Sequence, residues 1–203
     1  MIVFACFSPH PPIILPNVGS PADQEKVNKT IRAMEKLSQE LPLTKPDSLI
    51  ITSPHPDWGF NVPLHYLTKN LPNLEIKTKL TSLEPPERHF LQGKKLVKSL
   101  SHIKRLAWIA SGDMSHRLHK DGPYGFHPSG PKYDQEFITQ LKRKSIPGII
   151  NLDSKLVEEA GECGLRSFCL LLGAIEESKT KWEPKILSYE APFGVGYLVA
   201  RLV

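Results

Sequence analysis

The sequence predicts an α/β fold, a single-domain α/β/α sandwich with helices on both faces of a central mixed β-sheet. Three observations lead to this prediction. Short, continuous apolar runs, each stopped by turn residues, are typical of strands that are buried on both faces. Between them, apolar residues recur at spacings of three and four, which indicates amphipathic helices. The two patterns alternate without an internal repeat or a linker, which favours one domain over residues 1–203.

Five strands are predicted in chain order. Residues 2–7, 48–52 and 106–110 are apolar runs that end at turns containing proline or glycine, and two further strands are predicted over 186–189 and 195–200. Many of the 19 prolines lie at strand ends, where they stiffen loops by fixing φ. Rigid loops at strand ends are where α/β sheets commonly bind their ligands.

Helices are predicted where the apolar spacing is regular, over residues 27–41 and 133–141 and within 152–175. The last segment matters most. In one unbroken helix, Cys163 would lie on the apolar stripe and Glu162 on the polar face. Gly161 and Gly164 could instead break the helix and reverse these orientations.

Composition excludes several classes of protein. The 203 residues carry a formal net charge of +5, in short basic patches that are typical of solvated helix faces rather than of a nucleic-acid surface. No apolar run approaches the roughly 20 residues of a membrane span, and the start lacks the basic segment of a signal peptide. Three cysteines do not make a disulfide framework. We therefore expect a cytoplasmic protein with neither a nucleic-acid nor a membrane partner.

Three histidines follow predicted strands in similar frames. His10 and His55 both stand in Ser-Pro-His, and His116 stands in Met-Ser-His. Strands that end on the same side of one sheet would bring the three imidazoles together. A carboxylate such as Glu162 beside two histidines is typical of non-haem Fe(II), whereas Cys163 in that place would favour zinc or copper. The residues themselves leave this choice open.

Asp113 lies three residues before His116. One interpretation is that its carboxylate accepts a hydrogen bond and so orients the imidazole or a metal ligand. The other is that it is a turn residue that caps Ser115 or His116.

Five segments of the sequence carry a resemblance to a known family. They are Ser-Pro-His-Pro-Pro-Ile-Ile-Leu-Pro (8–16), Ser-Pro-His (53–55), Ser-Gly-Asp-Met-Ser-His (111–116), Ala-Gly-Glu-Cys-Gly (160–164) and Tyr-Glu-Ala-Pro-Phe-Gly-Val-Gly-Tyr (189–197). In this order they resemble the class III extradiol dioxygenase family, the superfamily of the catalytic beta subunit of protocatechuate 4,5-dioxygenase. The chain is most similar to the stand-alone branch related to Memo and to protein B of the AmmeMemoRadiSam system.

The resemblance implies a role for each candidate residue. His10 and His55 match the two metal-binding histidines, and His116 matches the histidine that acts as acid and base. Glu162 or Cys163 stands where the third ligand belongs, since ring-cleaving members have glutamate there and Memo-like members have cysteine. Fe(II) is the expected metal, with zinc or copper expected if Cys163 is the ligand.

The implied activity is that of a non-haem, metal-dependent oxygenase that opens catechol-type rings with O2. His116 would exchange protons with the substrate, with Asp113 beside it. The expected partners are a small catechol-like aromatic substrate and O2, and a homo-oligomer is left open. The alternative is a Memo-like metal-binding or redox protein that acts through partners without catechol turnover. The third ligand, and the size of the pocket beside His116, discriminate between the two.

Overall fold

The computed structural model, which describes residues 1–203, contains six strands in one mixed sheet. Their bounds are β1 Ile2–Ser8, β2 Ser48–Ser53, β3 Glu75–Leu80, β4 Leu106–Ser111, β5 Lys185–Glu190 and β6 Tyr197–Arg201. The order across the sheet is β3-β2-β4-β1-β6-β5. Strands β1 to β4 run parallel, β6 is antiparallel to β1, and β5 is antiparallel to β6.

Eight helices and a short 3-10 turn (Pro12–Ile14) complete the fold. The helices are α1 Pro21–Lys26, α2 Asn28–Leu43, α3 Trp58–Leu67, α4 Pro86–Ser99, α5 Ser129–Lys142, α6 Ile146–Ile150, α7 Ser154–Ala160 and α8 Leu165–Glu177. Helices α2 and α3 pack on one face of the sheet, and α8 packs on the other with α4 against it. This arrangement confirms the predicted α/β/α sandwich. None of the helices is both long and apolar enough to span a bilayer.

The central strand β1 shows why the strands are apolar at every position. Ala5 and Phe7 belong to the core beneath α8, while Phe4 and Cys6 belong to the core beneath α2 and α3. All four side chains are fully buried. Successive residues of a strand point to opposite faces, so a strand covered on both faces has no solvent-facing position.

The five predicted strands correspond to β1, β2, β4, β5 and β6, and the helices predicted over 27–41 and 133–141 correspond to α2 and α5. Strand β3 was not predicted. It lies at the edge of the sheet, is largely exposed, and carries Glu75, Lys77 and Lys79. Charges on an edge strand hinder pairing with other chains, and they also remove the apolar pattern from which a strand is recognised.

The unbroken helix considered for residues 152–175 is wrong. Helix α7 ends at Ala160, Gly161 adopts a left-handed conformation with φ of 63°, and α8 begins at Leu165. A left-handed residue ends a helix because its N–H turns back to the last carbonyl groups, and glycine adopts that conformation without a steric penalty. The turn of residues 161–164 therefore determines which way its side chains point.

Helices α4 and α8 cross in backbone contact. A Cβ added to Gly93 would lie 1.9 Å from the carbonyl oxygen of Leu170, and one added to Gly173 would lie 2.0 Å from that of Phe90. Side chains at these positions would force the helices apart. Since α8 carries the chain away from the 161–164 turn, this crossing also fixes where that turn lies.

We expect Gly93→Ala to destabilise the fold by about 2 kcal/mol or more, because overpacking outweighs the roughly 1 kcal/mol that alanine gains in helix propensity. Urea unfolding followed by circular dichroism measures this change. Lys95→Ala, an exposed position on the same helix, is the matched control and should change stability by less than about 0.5 kcal/mol. Equal stability of the two variants would contradict the backbone contact.

Candidate active site

The candidate site lies at the carboxyl ends of three adjacent parallel strands, β2, β4 and β1. These strands end in the buried residues Ser53, Ser111 and Ser8. The loops that follow carry His55, then Asp113 and His116, and then His10, as the Ser-Pro-His and Met-Ser-His frames predict. Strands that run parallel end at the same edge, so the three loops meet there.

His10 is held with one ring nitrogen free. Its side chain is 2% exposed, and Nδ1 lies 2.9 Å from Ser111 Oγ, whose hydroxyl donates to the carbonyl of Gly59 at 2.5 Å. Because that donation uses the single hydroxyl proton, Oγ accepts from the His10 Nδ1–H. The lone pair of Nε2 is then available to a ligand. Burial, with a contribution from His55, lowers the pKa of His10 to about 3, so the ring is neutral at pH 7.

His55 faces His10 across the site. Their ring centroids lie 5.1 Å apart in a T-shaped arrangement, and the His55 ring lies 5.7 Å from that of Trp58. The backbone N–H of His55 donates to Ser53 Oγ at 3.1 Å, which shapes the turn after β2. Trp58, at the start of α3, thus forms one wall beside the histidines.

Cys163 reaches the histidines from the turn between α7 and α8. The N–H groups of Cys163 and Gly164 both donate to the carbonyl oxygen of Asp113, at 3.4 and 3.0 Å. The Asp113 N–H in turn donates to Cys163 Sγ at 3.2 Å, and this sulfur lies 3.6 Å from His10 Nε2. Donor atoms of His10, His55 and Cys163 all lie within 4.8 Å of one another.

Glu162 points elsewhere. Its Oε2 accepts from the N–H of Leu165 at 2.6 Å, in the first turn of α8, and Oε1 lies 3.7 Å from Arg166. The side chain is 1% exposed, and burial raises the pKa of this carboxyl to about 7. Of the two residues between which the sequence did not decide, the structure brings Cys163 to the histidines and leaves Glu162 at the helix.

Asp113 and His116 form the second half of the cluster. Donor atoms of Asp113, His116 and Cys163 lie within 4.8 Å of one another. Asp113 Oδ1 accepts from the backbone N–H of His10 at 3.0 Å, and burial raises the pKa of this carboxyl to about 6. The Nε2 of His116 is buried without a hydrogen-bond partner, and burial lowers the pKa of its ring. Its ring centroid lies 5.0 Å from that of Tyr124.

All of these side chains border one cavity of about 600 Å³. Apart from the histidines, Asp113, Glu162 and Cys163, its walls include Trp58, Tyr124, Val195 and Tyr197. Sequence reasoning did not assign Trp58, Tyr124 or Ser111 to the site. The position of Trp58 three residues after His55 was an available signal, whereas nothing in the sequence around Tyr124 indicated its proximity to His116.

A family model described as the catalytic LigB subunit of aromatic ring-opening dioxygenase matches residues 55–200. The chain belongs to the LigB family. The matched range contains His55, Asp113, His116 and Cys163. His10 precedes it and joins the site because β1 lies next to β4. The description of the family model names the catalytic subunit of a dioxygenase, and a cluster of imidazole and thiol donors agrees with a metal-dependent enzyme of that type.

Two further comparisons show which proteins this LigB chain is similar to in sequence or in fold. Protein CA_C1420 of Clostridium acetobutylicum is 29% identical over 264 residues, with 96% of this chain and 56% of the relative covered. The chain thus spans about half the length of that relative. The crystal structure of uncharacterized protein JW3007 from Escherichia coli K12 has a TM-score of 0.68 at 16% identity, with 98% of this chain and 99% of that chain covered. The second comparison shows a shared fold.

The donor set fits a transition-metal ion. Neutral imidazole nitrogens and a cysteine sulfur bind zinc, copper and iron, whereas magnesium and calcium prefer oxygen donors. A metal-binding histidine usually donates its second ring N–H to a hydrogen-bond acceptor. His10 does so, because its Nδ1–H donates to Ser111 and the Nε2 lone pair faces the other donors. Cys163 adds the soft donor, so the site suits zinc or copper at least as well as iron.

We expect His10→Ala and Cys163→Ser each to weaken Zn²⁺ binding by at least about 100-fold, because each removes one donor. Competition with a chromophoric chelator measures the affinity. Glu162→Gln should bind Zn²⁺ as the parent chain does, since the carboxylate is used by α8, and His102→Ala, an exposed histidine elsewhere, is the control. A loss in Glu162→Gln equal to that in Cys163→Ser would show that the carboxylate is a ligand.

The loop that carries His116 is held by Asp134 of α5. The Asp134 carboxylate accepts from the N–H of Ser115 at 2.8 Å and from the hydroxyl of Tyr189. The Ser115 hydroxyl and the His116 N–H both donate to the carbonyl of Ala160, at 2.8 and 3.2 Å. Asp134 is 2% exposed, and burial raises its pKa to about 6. The backbone on both sides of the imidazole is therefore fixed.

We expect the stability difference between the parent and Asp134→Asn to depend on pH, with the parent gaining stability relative to the variant as the pH falls from 7 towards 4. The pKa of this carboxyl is raised from 3.8 to about 6 in the folded chain, so it binds its proton at a higher pH than the same carboxyl in the unfolded chain. The parent therefore gains stability as the pH falls through this range. A shift of that size corresponds to about 3 kcal/mol. Urea unfolding of both chains from pH 4 to 7 measures the difference, and a difference that does not vary with pH would contradict the buried ionisation.

Proposed function

We propose that this LigB chain is a non-haem, metal-dependent oxygenase that opens catechol-type rings with O2. The observation that carries the proposal is the buried Nε2 of His116, which has no partner and belongs to a ring that borders the same cavity as the donor cluster. A buried polar atom without a hydrogen bond is costly. A hydroxyl group of a bound substrate would supply the missing partner.

The cavity suits a planar aromatic molecule. Its volume of about 600 Å³ is within the range of roughly 300–1,000 Å³ that small-molecule sites occupy. Trp58 lies beside His55 and Tyr124 lies beside His116, and each is about half exposed at the opening. Aromatic side chains on both sides of the histidines can stack on a ring and exclude water from it.

We propose that His10, His55 and Cys163 hold the metal ion, and that Fe(II) is the ion used for ring opening. When bound, the ion supplies the Lewis acidity that lowers the pKa of the catechol hydroxyls and the redox chemistry that O2 requires. Asp113 keeps His10 in place through the 3.0 Å bond from the His10 N–H. The hydrogen bond from His10 Nδ1 to Ser111 would leave Nε2 free to bind the ion.

His116 is the proposed acid and base. Its neutral ring can take the proton of a catechol hydroxyl at Nε2 and return a proton to the ring-opened product. Both atoms of O2 enter that product, so no other reductant is needed. The bonds from Ser115 to Asp134 and Ala160 keep the backbone at His116 fixed while the proton moves.

A second function is favoured by one observation, the position of Cys163. Its sulfur faces the histidines while the Glu162 carboxylate is bonded to the first turn of α8. A histidine and cysteine donor set favours zinc or copper. In this second proposal the chain is a Memo-like metal-binding or redox protein, which acts through partners without catechol turnover.

We propose a cytoplasmic location for either function. All three cysteines are free, and the Cys163 thiol borders an open cavity. A reducing compartment keeps such a thiol in the form that can bind a metal.

We expect the chain, loaded with Fe(II) without air, to take up O2 with simple catechols and to form a yellow ring-opened product. His116→Ala should lower kcat by about 100- to 10,000-fold, because the proton acceptor is lost, while the Fe content stays the same. An oxygen electrode and product absorbance measure both effects. His102→Ala, which changes an exposed histidine outside the cavity, should retain full activity.

The two proposals give opposite results in this assay. One result would contradict ring opening and support the Memo-like function. In it, the chain binds zinc or copper tightly through Cys163 and takes up no O2 with any catechol after Fe(II) loading. Turnover that His116→Ala does not reduce would contradict the assigned role of this histidine.

A further inference from the structure

A second cavity opens beside the site. It has a volume of about 380 Å³ and is lined by Pro11, Pro12, Ile13, Asp23, Phe193 and Tyr197. Pro11, Pro12 and Tyr197 border the site cavity as well. The two cavities are therefore neighbours that share a wall.

The surface of the second cavity is mostly apolar. Ile13 and Phe193 are half-buried and pack against the core beneath α2 and α3, so they are fixed in place. The prolines add rigid apolar surface at the shared wall. A preformed apolar cavity next to a reactive site is suited to a hydrocarbon substituent, because burial of each methylene group is favourable.

No lysine or arginine lines either cavity. The carboxylate of Asp113 accepts from the N–H of His10, and that of Glu162 accepts from the N–H of Leu165. In the second cavity a ligand carboxylate would therefore meet the carboxylate of Asp23 and no lysine or arginine in the lining, which is unfavourable.

The charged groups at the far end of the second cavity are also paired. Asp23 accepts from the N–H and the hydroxyl of Ser20, at 3.1 and 2.7 Å. The Lys26 ammonium lies 3.4 Å from Asp23 and 5.4 Å from the centre of the Phe193 ring. Asp23 and Lys26 thus pair with each other at this end of the cavity.

We propose that the site takes catechols with an uncharged, apolar substituent, and that this substituent occupies the second cavity. The inference rests on the proposed ring opening and names its substrate class: alkyl catechols rather than carboxylated ones.

Binding without turnover tests this substrate class. The metal-loaded chain is titrated without air, and the change in tryptophan fluorescence that is lost in Trp58→Phe, in the cavity wall, reports occupancy. The probes are catechol, 4-methylcatechol, 4-propylcatechol and 3,4-dihydroxybenzoate. We expect affinity to rise about threefold per added methylene, so that 4-propylcatechol binds at least about tenfold more tightly than catechol. 3,4-Dihydroxybenzoate should bind no more tightly than catechol, and a carboxylate that binds as tightly as 4-propylcatechol would overturn the inference.

Three variants test where the substituent lies. Phe193→Ala should abolish the gain per methylene, whereas Phe126→Ala, a half-exposed phenylalanine that borders neither cavity, should leave every affinity unchanged. Pro12→Arg at the shared wall should raise the affinity for 3,4-dihydroxybenzoate about tenfold relative to catechol. Because Pro12 is exposed, this variant tests the placement even if Phe193→Ala fails to fold. A gain per methylene that survives Phe193→Ala in a folded chain, or an unchanged preference in Pro12→Arg, would overturn the placement.

The binding and turnover results are separable. The expected order of affinities without O2 uptake would contradict ring opening and support the inference about the ligand. O2 uptake without this order would overturn the inference alone, whereas a failure of every catechol to bind would contradict both the inference and the proposed ring opening.

Discussion

Asp113 joins the separate parts of the site. Its N–H donates to Cys163 Sγ, its carbonyl accepts from the N–H of Gly164, and its carboxylate accepts from the N–H of His10. The loops after β1 and β4 and the turn before α8 thus meet at one residue. This meeting requires glycine at its closest point, because a Cβ on Gly112 would lie 2.2 Å from the Cα of Gly164. Asp113, Gly112 and Gly164 are therefore all needed for the two segments to meet in this way.

The turn of residues 161–164 decides which donor reaches the histidines. Gly161 ends α7 in a left-handed conformation, after which Glu162 bonds to the first turn of α8 and Cys163 to Asp113. To bring the carboxylate of Glu162 to the histidines, the turn would have to give up the bond to Leu165. Which of the two candidate donors, a carboxylate or a thiol, faces the histidines is therefore a property of this turn. The residue types alone allowed either.

Much of the sheet could be predicted because burial on both faces leaves continuous apolar runs, as in β1 and β4. The edge strand β3 could not be predicted, because charged residues at every second position replace the apolar run. Helices α3 and α4 were also not predicted, since Pro63 lies inside the first, and glycine and charged residues dilute the apolar pattern of the second. The three site histidines could be predicted because they follow strands in similar short sequences. The direction of the Cys163 side chain could not be predicted, because it depends on contacts with Asp113, which is 50 residues away.

The site brings together residues from opposite ends of the chain, since 153 positions separate His10 from Cys163. During synthesis the first donor leaves the ribosome long before the last. β1, which carries His10, completes its pairing only when β6 is made. No early segment contains the full set of candidate donors, which is complete only once the chain has been made through the turn of residues 161–164. A metal ion at this site would therefore bind a folded domain rather than a local stretch of sequence.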